Sequence, residues 1–187
     1  MRRASLALVA LLAVGTASAE EVPNPEFVRW SKFKEGTSTT QKMTHTIGNL
    51  TMAATVTTTL IEVGTEKLVI ESAVVVRING MEAKEAILKT DVTKTVTLPK
   101  PVKKDDPGDG RPSGTFEEGT ETLKIGGTDI KTKWFKFKSE ADGVKTVGKA
   151  WLSDDVPGNM VIKQELTITS GVVTVTDKME LIEFKKP

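Results

Sequence analysis

Few side chains in this 187-residue sequence are equipped for chemistry: it has one histidine and no cysteine. His45 stands between Thr44 and Thr46 in a polar stretch. A histidine base needs a positioned nucleophile or an orienting acid, and no G-x-S-x-G element accompanies it. A solvated strand residue is the plainer reading. Asp154 and Asp155 stand together ahead of Val156-Pro157-Gly158-Asn159. Paired carboxylates can share a proton or hold a metal, yet two acids before Pro-Gly also make a tight turn between strands. The turn is the simpler assignment. Asp105, Asp106 and Asp109 offer oxygen ligands for calcium, but their spacing misses the EF-hand pattern, and Lys103 and Lys104 precede them. The lack of cysteine removes thiolate catalysis and zinc–thiolate sites. No P-loop, dinucleotide fingerprint or H-E-x-x-H is present. The expectation is a non-enzyme with no catalytic residue, no metal site and no cofactor.

The aromatic residues carry more information. Trp30, Trp134 and Trp151 join six phenylalanines, and tyrosine is absent. Trp134 and Phe135 are adjacent, so on a strand they face opposite sides. One side is core; the other is a helix-covered face or an apolar groove. Met43, Met52, Met81, Met160 and Met179 add adaptable apolar surface of a kind that accepts varied ligands. Trp30, Trp134 and Trp151 are the candidate groove-lining residues. Packing of the same aromatics against a helix is the competing reading.

The elements that would position them follow from local signals. Asn24-Pro25-Glu26 is a helix start: a capping side chain, proline at the first helical position and an acid in the first turn. Phe27, Trp30 and Phe33 recur at helical spacing before Gly36, which predicts a helix over 25–34, with a strand at 28–33 as the alternative. From Thr37 onward, period-2 alternation takes over. Leu50, Met52, Ala54, Val56 and Leu60 point one way while Thr51, Thr55, Thr57 and Thr59 point the other. Leu68, Ile70, Val74, Val76 and Ile78 resume the apolar side after a turn at Gly64-Thr65-Glu66, and Leu88, Val92, Val96 and Leu98 alternate later. Asn79-Gly80 is a hairpin signal, because both residues tolerate positive φ. Met81 to Ala86 reads as a single helical turn. Residues 99–115, rich in Pro, Gly and charge, form a flexible loop. Strands are then expected at 117–125, 129–138, 144–152, 160–169 and 172–184. Threonine is the commonest residue, and its branched, hydroxylated side chain suits the wet side of a sheet.

The first nineteen residues resemble an export signal. Arg2 and Arg3 precede an apolar run from Ala4 to Val14 of about 11 residues, short of the ~20 that cross a bilayer. Ala17-Ser18-Ala19 fits a cleavage site, with Glu20 the first mature residue and no lipoprotein cysteine after it. The full chain holds 26 basic and 25 acidic residues; without the two signal arginines the balance is 24 to 25. A near-neutral chain lacks the basic face that nucleic acid needs. The expected organisation is a signal at 1–19 and one β-rich domain over 20–187. Its location would be periplasmic or extracellular, with no transmembrane segment.

Three segments carry a resemblance. Trp30 to Thr37 (W-x-x-F-K-x-G-T), Glu118 to Phe137 and Lys149 to Lys163 resemble uncharacterised secreted proteins of planctomycete-type bacteria. The W-x-S-x-x-V-P-G pattern ending at Gly158 is similar to parts of periplasmic half-barrel proteins related to lipoprotein carriers. That second likeness implies a curved antiparallel sheet with a helix in its concavity and carriage of an apolar ligand. The combined expectation is a mainly β protein: a curved sheet or half-barrel of about nine or ten antiparallel strands with one short N-terminal helix. Its expected role is a non-enzymatic envelope protein that binds an apolar or amphipathic small molecule or lipid. The alternative is a structural or interaction module, partnered by another envelope protein and lacking a cavity.

Overall fold

The computed structural model describes residues 19–99, 114–158 and 160–187. Residues 1–18 of the expected export signal and most of the Pro/Gly loop lie outside the described residues. Two short strands, β1 (Ala19–Pro23) and β6 (Thr95–Pro99), pair as a separate antiparallel ribbon. Helix α1 (Pro25–Trp30) follows β1. The remaining nine strands are β2 (Ser38–Ile47), β3 (Leu50–Val63), β4 (Lys67–Ile78), β5 (Met81–Thr93), β7 (Thr115–Ile125), β8 (Thr128–Ala141), β9 (Val144–Leu152), β10 (Val161–Ser170) and β11 (Val173–Lys185). They form one open sheet in the order β5-β4-β3-β2-β11-β10-β9-β8-β7, antiparallel throughout. The mainly β, antiparallel expectation holds.

Two-residue turns explain the meander. Asn79 and Gly80 both take positive φ, at 48° and 84°, as do Asp142 and Gly143 at 51° and 75°. Such pairs match the twist of the strands they join. The sheet is therefore two hairpin series, β2–β5 and β7–β11, joined where β2 pairs with β11.

Two sequence expectations are corrected. Met81 to Ala86 is not a helical turn but the start of β5, paired with β4 around a bulge between Lys84 and Glu82. The helix is six residues rather than ten: Ser31 caps it, donating its N–H to the Phe27 carbonyl at 2.9 Å. Its start is as expected, with Asn24 Oδ1 accepting from the Glu26 N–H at 3.0 Å. A helix this short is not stable alone. Phe27 and Trp30 anchor it on Leu60, Leu68, Ile70 and Val92.

Register gives the sheet two unlike faces. One cross-strand row runs Val76, Ala54, Met43, Met179, Gln164, Ala150 and Phe135. The row behind it runs Val75, Thr55, Lys42, Glu180, Lys163, Trp151 and Trp134. Because side chains alternate across a strand, these rows lie on opposite faces. Over β2–β5 the first face is mainly apolar and the second rich in threonine and glutamate; over β7–β9 the second face also carries Leu123, Ile125, Ile130, Trp134 and Trp151. Leu60 and Ile70 share parity with the apolar row, so α1 covers one end of that face.

Candidate functional site

Beyond α1 the part of the apolar face on β2–β5 is open, whereas Phe135, Phe137, Ala150 and Leu181 of the same face are buried. Met43, Ile47, Leu50, Ile78 and Leu88 all belong to it by register and are all exposed, Met43 by 37% and Leu88 by 61%. Single exposed apolar residues are ordinary, whereas a contiguous set on one face marks a binding surface. His45 and Asp177 stand directly opposite each other, His45 Nδ1 against Asp177 Oδ1. The sequence showed no orienting acid for His45 because Asp177 lies 132 residues away. Met52 stands opposite His45 on its other side, and Leu166 opposite Asp177. No hydroxyl nucleophile completes a triad at these positions. The arrangement is a histidine–carboxylate contact set into an apolar surface.

A cleft of about 700 Å³ opens beside β7, β8 and the segment after β9. Phe135 and Leu152 form its apolar part, with Lys131, Lys133, Ser153, Asp154 and Asp155 around them. The Asp155 N–H donates to Ser153 Oγ at 3.2 Å, and the Ser153 N–H to the Met160 carbonyl at 2.9 Å. The two carboxylates therefore sit in a bonded turn, as the Pro-Gly sequence implies. Among the described residues, no three His, Cys, Asp or Glu side chains gather to hold a metal ion.

The three tryptophans do not line one groove. Trp30 is 1% exposed, packed in the α1 cluster with Gly158 against its ring, and its indole N–H has no partner among the described residues. Trp134 and Trp151 are brought together as a cross-strand pair, on the face behind the apolar row. Counting outward from the Asp142-Gly143 turn gives that pairing from sequence alone. Lys149 Nζ lies 4.3 Å from both rings, and Lys163 Nζ 4.9 Å from Trp151. The Trp151 indole N–H donates to Glu121, which also meets Lys149 Nζ at 3.5 Å. These contacts hold the Glu121 carboxyl below its ordinary value, the indole hydrogen bond first and the lysines after it. Trp134 further lies across Gly119, where an added Cβ would come within 2.6 Å of its ring. Sequence reading gave no sign that this glycine makes room for the indole.

The fold thus defines a class, a mainly β protein built on an open nine-stranded antiparallel sheet with one amphipathic side. No protein-family model matches the chain, and no curated protein matches it. The resemblance to planctomycete secreted proteins therefore gains no support. Among solved structures, a "putative lipoprotein" from Parabacteroides distasonis is similar over 81% of this chain and 96% of its own length. The identity is 13% and the TM-score 0.38. At that level the likeness carries no argument, and the function rests on the chain's own geometry. No helix among the described residues is long and apolar enough to cross a membrane.

Proposed function

We propose that this chain is a non-enzymatic exported protein of the cell envelope that binds an apolar or amphipathic molecule on the open side of its sheet. The observation that supports it is the open β2–β5 part of the apolar face, on which Met43, Ile47, Leu50 and Ile78 stay exposed beside the buried α1 end. The signal-like first nineteen residues supply the export part of the reading. Burying such a surface under an acyl chain recovers about 25 cal/mol per Å² of apolar area removed from water. Methionines at Met43, Met52 and Met179 let the surface adapt to chains of different shape. His45 and Asp177 offer one polar point against which a head group or a kink could settle.

Binding of a fluorescent acyl probe to the lipid-stripped chain tests this reading. Saturable binding is expected, weakened about tenfold or more by Met43→Glu, which puts a charge into the apolar row. Absence of probe binding by the wild-type chain overturns it. Native mass spectrometry of protein taken from its own envelope, followed by organic extraction, would then name the ligand class. The interaction-module reading draws on a different feature, the free strand edge at β5, where Ile87 and Leu88 are both exposed.

A further inference from the structure

An open sheet has two free edges, and among the described residues these are β5 and β7. A free edge presents unpaired backbone donors and acceptors, and natural proteins guard such edges or use them. The two edges of this chain differ. On β5 the neighbours Ile87 and Leu88 point to opposite faces, and each is 61% exposed. The β4–β5 ladder is regular from Lys84 to Thr93, with its bulge lying before Lys84.

We infer that β5 pairs antiparallel with β5 of a second copy of this chain, with Ile87 on the two-fold axis. The register follows from requiring like faces to meet. A two-fold axis perpendicular to the sheet keeps each face on its own side, so the paired residue numbers must share parity. Centring on Ile87 sets Leu88 opposite Ala86 of the other copy, Lys89 opposite Glu85, and Thr90 opposite Lys84. Each pair occurs twice. Unlike charges at Glu85 and Lys89 meet on the face that also holds the Ile87 pair, and opposite charges directly across a strand pair are favourable. Lys89 already faces Glu71 on β4, at 3.4 Å, so the contact extends a Glu71–Lys89–Glu85 ladder across the join.

The other edge argues the converse. Pairing β7 with itself about Gly119 sets Glu117 against Glu121 of the other copy, and like charges directly opposite are unfavourable. Both acids are already engaged, by Lys136 and Lys149 respectively. A join at β5 alone closes after two copies, which is what an isologous interface requires. It also brings the two apolar faces onto one continuous side. The inference stands apart from the ligand reading, since it uses only the strand edge.

Sedimentation velocity of the purified chain across a micromolar concentration series tests it, with circular dichroism melts to show that each variant folds. A monomer–dimer equilibrium is expected. Glu85→Lys alone and Lys89→Glu alone should each weaken it about tenfold or more, since each sets like charges opposite one another at two places. The double variant E85K/K89E should restore dimerisation, although it does not restore the Glu71 contact. Ile87→Lys should give a monomer. A chain that stays monomeric at every concentration overturns the inference. So does a double variant as weak as the singles, or growth into open-ended polymers, which would mark a β5-to-β7 join.

Discussion

The two hydrophobic clusters of this molecule are built on different terms. The first joins Phe27 and Trp30 of α1 to Leu60, Leu68, Ile70 and Val92, and no charged side chain belongs to it. The second gathers Ile125, Ile130, Trp151, Ile162 and Leu181, with Trp134 at its margin. Its tryptophans carry Lys149 against their rings and Glu121 on an indole nitrogen. The buried members of the first cluster pack by volume, and a cation meets it at the margin, where Lys186 Nζ lies 5.6 Å from the Phe33 ring. The second combines burial with charged contacts at a half-open edge, where cation–π pairs add to packing. A helix can bring aromatic bulk onto a sheet and seal it. A strand pair leaves its neighbours' long side chains to do the covering.

The contrast can be broken in order of size. Trp30→Ala should cost about 3–5 kcal/mol in denaturant unfolding, as for a large aromatic removed from a closed core. Trp30→Phe should cost clearly less, because it also removes a buried N–H that has no partner among the described residues. Equal losses for the two variants would mean that the first cluster is not packed by volume. Next, Asn24→Ala should lower stability by about 1 kcal/mol, since it removes the cap that starts a helix too short to stand unaided. An unchanged midpoint would show that packing alone positions α1.

The smallest effect sharpens the second cluster. The Glu121 carboxyl titrates below its ordinary value in the folded chain. Its stabilising contribution is thus present above the unfolded carboxylate value and lost as pH falls through the lowered folded one. Glu121→Gln should therefore lower stability on the neutral side, meet the wild-type curve below the lowered folded value, and so flatten the acid limb between them. An unaltered acid limb, measured by thermal unfolding at stepped pH, would detach Glu121 from the tryptophan pair. Trp30→Ala should leave the shape of that limb alone.

Much of this architecture was legible because its signals are local. Asn79-Gly80 and Asp142-Gly143 announce turns through a conformation few residue types adopt. The alternation from Leu50 to Leu60 states which side of β3 is apolar, and the Asn24-Pro25-Glu26 start is read from three adjacent residues. What escaped was non-local. β1 pairs with β6 across most of the first half of the chain, and neither segment is long enough to declare itself. Asp177 reaches His45 only because β11 lies beside β2. The tryptophans were expected to share a groove because composition counts residues without assigning faces; Trp30 sits on α1 over the apolar face, whereas register puts Trp134 and Trp151 on the face behind it. The helix ended early because Ser31 caps it and Phe33 packs edge-on against Phe184 from outside it, ring centres 6.0 Å apart.

The seam between β2 and β11 has a kinetic meaning. Within the large sheet, every other pairing except that across the segment from β9 to β10 is made by strands only two or three residues apart, so it can zip up from its own turn. The seam must instead bring together segments such as His45 and Asp177, 132 residues apart. Closing a loop of that length costs roughly 4 kcal/mol of chain entropy before any reward arrives. The two hairpin series can thus form as separate folding units and join last. A chain caught before the seam closes would hold two half-sheets, each with two raw edges in place of one. The meeting of β2 with β11 is then both the final act of folding and the step that removes the most adhesive surface from the unfinished protein.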